Sequence, residues 1–423
     1  MTNLIDKKNI NNFFSYLVIF LPIALITGPF LTNLIVSLTS IYMLILLFFS
    51  NDIKKYLLNK INLILLFFWF YIVLRSVFAS NPYLSLESSL FYGRFIFFSI
   101  GIAYIIEKNP NFVKFFGYSL WLCLFLATLD GFIQYFTGFN SLGWEQIDPE
   151  RVSGFFREEL ILGSYLSRLL PLAFFFIYFI NDKNRKGLFL LIGLIMLVLI
   201  DVLIFITGER IAFFYLTMST VMIIILVPNF RIMRILTFII SAIIIFFIAT
   251  NNNVVKNRMI DFTIEQIGLD EKNESGLRAF SNNHQQHYVS ALKMFKDEPF
   301  FGKGPKMFRE LCAHPDYYTV LACSSHPHHN YVQLLAETGL VGFVPILFIL
   351  ILTSFLLLKQ FYSTYISRSQ FLNGKNTILL ITIFITLWPF VPSGNVFNGW
   401  LNSIYYLPFG FLLFYYNESL KKD

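Results

Sequence analysis

Long apolar runs parted by short polar breaks fill this chain from end to end. They lie at roughly 13–29, 31–50, 61–79, 86–106, 113–136, 160–180, 187–207, 211–228, 232–250, 338–358, 376–393 and 400–416, and each has the length of about 17–25 residues that a bilayer-crossing helix needs. The narrowest breaks are Gly28-Pro29 and Pro392-Ser393-Gly394-Asn395. No series of short alternating strands occurs, which a membrane β-barrel would require. The pattern predicts an all-α integral membrane protein of about 12 transmembrane helices: helices 1–9 within 1–250, one long outer loop region at 251–337 that contains short helices, and helices 10–12 within 338–423. The first run has no small-residue cleavage site behind it and is expected to be a retained helix. In the loop, Gln285 to Phe295 carries apolar residues at helical spacing, and Pro299, Gly302 and Gly304-Pro305 end that helix.

Composition agrees with this reading. The chain is 56% hydrophobic and 13% charged, whereas soluble proteins carry about 25% charged residues. Its net charge of +7 reflects positive loops rather than a nucleic-acid surface. With the N-terminus inside, the inner flanks hold Lys7, Lys8, Lys54, Lys55, Lys60, Lys108, Lys114, Lys183, Arg185, Lys186, Arg231, Arg234, Lys359, Arg368, Lys375, Lys421 and Lys422, while the short outer loops hold Arg151, Arg157 and Arg210. By the positive-inside rule both termini are cytoplasmic and the long loop lies outside. ATP is not expected there, so any reaction must draw its driving force from the substrate.

Five ionisable residues fall inside expected spans: Arg75, Arg94, Asp130, Arg168 and Asp201. Charge in a bilayer is costly and points to function. Internal ion pairs, such as Arg94 with Asp130, are the structural alternative. All five are expected in the outer half, where with Glu209 and Arg210 they would line one outward-facing cavity suited to phosphate. The loop then ends on His326-Pro327-His328-His329, at the mouth of the apolar helix that follows. His284 and His287, earlier in the loop, read as helix-surface residues. A zinc site from His326, His328, His329 and Asp316 is disfavoured by the proline-broken spacing, so no metal and no cofactor is expected.

His328 is followed by His329, nine further residues, and then Gly339-Leu340-Val341-Gly342. This spacing resembles the motif of the bacterial O-antigen ligases, with His329 standing where that family has Asn, Ser or Gln. Ala291-Leu292-Lys293-Met294-Phe295-Lys296-Asp297-Glu298-Pro299 and Thr207-Gly208-Glu209-Arg210 are similar to the same family, and the likeness covers roughly 160–345. The resemblance implies a glycosyltransferase of the bacterial inner membrane with a periplasmic active site. Its donor would be an undecaprenyl-diphosphate-linked glycan and its acceptor the lipid A-core. It implies His328 and Arg210 as catalytic residues, and Arg278, within Gly276-Leu277-Arg278, as the second arginine. Arg94, Arg168, His326 and His329 are the expected substrate contacts. O-antigen polymerases and protein O-oligosaccharyltransferases are similar in architecture. The polymerases favour a glycine eleven residues after an arginine, and Arg151, Arg157, Arg210, Arg278 and Arg309 all lack it. A transporter would place charges on both sides of the membrane, often in paired halves; here they are confined to the outer half and no repeat is visible.

The chemistry suits the residues. A sugar on diphosphate already carries a good leaving group. A histidine near its ordinary pKa can take the acceptor's proton, and arginines can hold the charge that develops on the leaving group. One direct displacement inverts the anomeric centre. Of the cysteines, Cys123 belongs in the fifth span as plain packing. Cys312 and Cys323 flank Ala313 to Ala322 in an oxidising compartment and are expected to form a disulfide.

Overall fold

The computed structural model describes residues 2–179, 186–266, 280–369 and 371–419; Arg278 and the basic residues Lys183, Arg185, Lys421 and Lys422 lie outside them. The described residues are helical throughout, with isolated bridges at Phe139–Glu145 and Asp148–Arg151 in place of any strand. In chain order the principal helices are α1 (Thr2–Ile19), α2 (Leu21–Thr27), α3 (Pro29–Phe49), α4 (Lys60–Val77), α5 (Pro82–Ser89), α6 (Gly93–Lys108), α7 (Asn111–Thr137), α8 (Leu162–Ile177), α9 (Lys186–Ile206), α10 (Arg210–Leu226), α11 (Arg231–Asn251), α12 (Asn282–Asp297), α13 (Asn330–Tyr362), α14 (Gly374–Thr386) and α15 (Gly399–Ser419).

Each apolar run overlaps one of these helices. Among the described residues, 6 helices are long and apolar enough to cross a membrane, or 7 if α1 and α2, bent by 43°, count as one span. Leu162–Ile177, Leu191–Ile206, Arg210–Leu226 and Gly374–Thr386 are apolar but shorter. The outer surface carries large exposed side chains such as Phe30, Phe48, Phe136, Ile232 and Phe246. This is the surface of a multi-pass membrane protein, with lipid in contact where water would otherwise meet a costly apolar patch. Between helices in lipid, packing does the work. Phe116 of α7, Phe176 of α8 and Phe411 of α15 meet with ring centroids 5.1, 5.2 and 5.5 Å apart.

Two element boundaries differ from expectation. The helix expected from 338 begins at Asn330, so the border drawn at 337 runs through α13, beside its break at Gly339. The run 376–393 is helical only to Thr386. Pro389 and Pro392 cannot continue a helix, and the irregular strap they leave offers its backbone to the histidine segment.

The intramembrane charges do not share one cavity. Arg234, expected on a cytoplasmic flank, is instead buried and forms a two-pronged pair with Asp201 at 2.7 and 2.9 Å, supported by Thr220 and Ser241. Asp130 does not meet Arg94; it accepts hydrogen bonds from the amide and hydroxyl of Ser141 at 2.8 and 2.5 Å and so closes the turn after α7. Arg75 donates to the Gly302 carbonyl at 2.7 Å and pairs with Glu298 at 3.0 Å, fastening the outer loop to α4. Each charge found a local polar partner, which in lipid is cheaper than assembling them in one chamber.

Candidate active site

The site begins with a break in a helix. At Gly339 the backbone of α13 turns to φ 58°, ψ −166°, and the segment Pro299–Gly304 docks into the gap. Leu340 and Val341 amides donate to the carbonyls of Pro299 and Phe300 at 2.9 and 3.1 Å, and Lys303 and Gly304 amides donate to Ala336 and Glu337 at 2.9 and 2.8 Å. The groups orphaned by the break are thereby satisfied. A Cβ on Gly302 would lie 2.4 Å from the Gly339 nitrogen, and one on Gly339 2.4 Å from the Phe300 oxygen. Only glycine fits either position. The first glycine of the His–Gly motif is therefore a backbone joint.

The first turns of α13 then carry the histidines from that joint. His329 caps the helix: its Nδ1 accepts from the Val332 amide at 3.3 Å and its Nε2 donates to the Pro389 carbonyl at 2.9 Å. With both ring nitrogens engaged, the substrate contact expected of His329 gives way to a structural role. Ser393 of the strap grips the backbone on both sides of His329. Its amide donates to the His328 carbonyl at 2.9 Å, and its hydroxyl accepts from the Asn330 amide at 2.7 Å. His328 is held at φ 57°, an uncommon conformation for a residue with a side chain.

Three other imidazoles surround His328. Ring centroids lie 4.1 Å away for His326, 5.4 Å for His287 and 5.7 Å for His284. The last two were read as helix-surface residues, and the structure corrects this. They sit at i and i+3 on one face of α12, and that face turns toward His328. His287 Nδ1 lies 2.7 Å from the Ala322 carbonyl and donates to it, which leaves Nε2 as the lone-pair nitrogen. His284 Nδ1 lies 2.9 Å from the Ser281 hydroxyl. Among the described residues, neither ring nitrogen of His328 has a hydrogen-bond partner. Burial, then the charge of neighbouring imidazoles, lowers the His284 pKa to about 4 and the His326 pKa to about 3. The same two causes, burial first, lower that of His328. Burial and neighbouring charge thus favour the neutral forms of His284, His326 and His328.

Arg210 opens α10 beside this cluster, and its charge is felt by His284. It is not alone. Arg258, in the helical turn after α11, donates to the Gly208 carbonyl at 3.2 Å, and Arg151 donates to the Leu160 carbonyl at 2.8 Å. Both act electrostatically on Arg210. The acid nearest in sequence, Glu209, is turned inward, where it accepts from the amides of Gly163 and Ser164 at 2.6 and 3.1 Å and caps α8. Glu150 reaches only Arg258, at 3.8 Å. The three guanidiniums act on one another electrostatically, with Glu209 and Asp148 acting on Arg151 and Glu150 on Arg258; guanidiniums so grouped are a donor set suited to phosphate oxygens. The expected second arginine, Arg278, lies outside the described residues. Arg258 carried no sequence signal, because nothing in its local pattern shows that the chain returns it to Gly208.

The other expected substrate contacts separate. His326 joins His328. Arg168 is buried, with its guanidinium 4.8 Å from the Tyr215 ring and its Nε without a partner. Arg94 lines a different cavity. Cys312 and Cys323 form a disulfide, Cα–Cα 5.2 Å, and Cys323 adjoins Ala322, whose carbonyl orients His287. Among the described residues, no group of three or more His, Cys, Asp or Glu side chains is placed to hold a metal ion.

Residues 194–347 match the family model described as O-antigen ligase. That span contains Arg210, Arg258, all four clustered histidines and both glycines of the Gly339 joint. The sequence resemblance to this family is thereby supported, and with it a membrane glycosyltransferase of the O-antigen ligase and polymerase type. Arg94, Arg151 and Arg168 lie ahead of the matched span. No curated protein matches the chain.

Proposed function

We propose that the protein transfers a glycan from undecaprenyl diphosphate to a hydroxyl of the lipid A-core on the periplasmic side of a bacterial inner membrane, as an O-antigen ligase. In this reading the chain crosses the membrane twelve times, with both termini cytoplasmic. His328 takes the proton from the acceptor hydroxyl as that oxygen attacks the anomeric carbon. The bond from that carbon to the diphosphate oxygen breaks, and the leaving diphosphate departs with its electron pair. Arg210, with Arg258 and Arg151 beside it and Arg278 as the family likeness implies, stabilises the charge gathered there. One displacement on one face inverts the anomeric centre. No metal or cofactor enters these steps.

The observation that carries this reading is the adjacency of two opposite chemistries: a neutral, unpartnered imidazole and a cationic group linked through His284. A base without an anion clamp, or a clamp without a base, would not support glycosyl transfer from diphosphate. Deletion of the gene with analysis of surface glycolipid tests the proposal. Loss of long chains with accumulation of carrier-linked polymer is the expected result. Shortening to one repeat unit per lipid would assign polymerase activity, and unchanged glycolipid would overturn both readings.

A further inference from the structure

Away from the histidines, α6 and the loop after Gly304 enclose an open cavity of about 320 Å³. Phe91, Phe95 and Phe397 form its walls, and Glu87, Arg94 and Lys306 reach into it. Glu87 is bonded to Lys306 at 3.1 Å and remains mostly exposed. Arg94 has no carboxylate within ion-pair distance among the described residues. Its guanidinium lies 4.8 Å from the Phe95 ring centroid and donates one hydrogen bond to Asn33 at 2.9 Å, while its buried Nε has no partner. A guanidinium sunk in an apolar bundle without an anion is costly. The cavity supplies room for that anion and a second cation on its far side.

We propose that this cavity binds the phosphate of a lipid headgroup, with Arg94 and Lys306 as the cationic contacts. A guanidinium fork and an ammonium together match a tetrahedral phosphate better than they match a single carboxylate. The phenylalanines give the remainder of the headgroup an apolar wall, and Phe91 is itself 58% exposed at the lipid-facing surface. The strap ties this cavity to the histidines. Pro389 receives the His329 hydrogen bond, the Val396 amide donates to Gln333 at 3.0 Å, and the next residue, Phe397, lines the cavity. Two lipids carry the required chemistry: a phosphorylated glycolipid acceptor and an anionic bilayer phospholipid. The proposal concerns binding and does not depend on the transfer reaction.

The test is native mass spectrometry of the detergent-solubilised full chain, titrated separately with phosphatidylglycerol, monophosphoryl lipid A and the dephosphorylated form of the latter. Arg94→Gln and Lys306→Gln are each expected to weaken binding of at least one phosphate lipid by about tenfold, the scale of one lost charge-assisted contact. Arg94→Lys should retain most of it. Weakening for the glycolipid alone identifies the acceptor as occupant, and weakening for phosphatidylglycerol alone identifies the bilayer. Lys306→Gln sits in a loop and carries the test if Arg94→Gln fails to fold. Unchanged binding of both phosphate lipids by Lys306→Gln would overturn the proposal, and equal binding of the dephosphorylated lipid by wild type would overturn the glycolipid as occupant.

Discussion

The ring of His326 stands 4.1 Å from the ring of His328, centroid to centroid. Two imidazoles at that distance cannot both carry a proton without strong mutual repulsion. His326 is the more buried partner and is lowered to about 3, so its neutral ring backs His328, whose ring nitrogens have no hydrogen-bond partner among the described residues. His328→Gln, which keeps polarity and approximate size, should therefore reduce the transfer rate by about 10²–10⁴-fold with little change in donor affinity. Single-turnover transfer from a carrier-linked glycan measures this, and near-normal turnover would remove His328 from the role of base.

Acid should act on the same cluster twice. Burial, then the charge of His287, lowers the His328 pKa below the ordinary 6.5. The rate should therefore fall on acidification with a midpoint below that of an ordinary histidine. Stability follows with a definite sign. His284 and His326 have folded pKa values near 4 and 3, below the unfolded 6.5, so the unfolded chain binds protons first. Their contribution is fully present above pH 6.5 and is lost as pH falls toward about 4 and then about 3. Melting temperature against pH should decline across that window, and His284→Gln should flatten the decline.

Arg258 should matter to the donor although its sequence context does not announce it. Arg258→Gln is expected to weaken donor binding by about tenfold, as loss of one charged contact to phosphate would. Competition by undecaprenyl diphosphate without a glycan reads this out. Equal competition in wild type and variant would confine Arg258 to its bond with Gly208.

The disulfide closes a short loop, with a sequence separation of 11. Cys312→Ser with Cys323→Ser should cost about 2–3 kcal/mol in the chain-entropy account, visible as a lower melting temperature. Because Cys323 adjoins the carbonyl that sets His287, turnover should fall more than donor binding. A melting temperature insensitive to both the substitutions and reductant would count against a stabilising role.

Much of this was legible in the chain. Each apolar run overlaps a helix, because apolar length favours helix in lipid, and among the described residues 6 or 7 of those helices are long and apolar enough to cross a membrane. The motif resemblance singles out His328 and Gly339, and the structure places Gly339 at the break in α13 and His328 just ahead of that helix. What stayed hidden depends on contacts between distant segments. His284 and His287 read as surface residues because helical spacing says which face they share and nothing about what that face meets. Arg234 counts among the loop charges because such counts do not see Asp201 on another helix, with which it is buried. Shared depth suggests one cavity for Arg94 and Asp130, with an ion pair between them as the alternative, yet each has its own local partner, in Asn33 and Ser141.

The Gly302–Gly339 joint also fixes an angle. From that weld the chain climbs two and a half turns before it releases His328, and each residue of a helix advances the azimuth by about 100°. Adding or removing one residue between Asn330 and Thr338 would leave the fold's composition and hydropathy almost untouched. It would nonetheless swing the imidazole about a quarter of a circle away from Arg210. The number of residues in that short stem, more than their identity, aims the reactive ring.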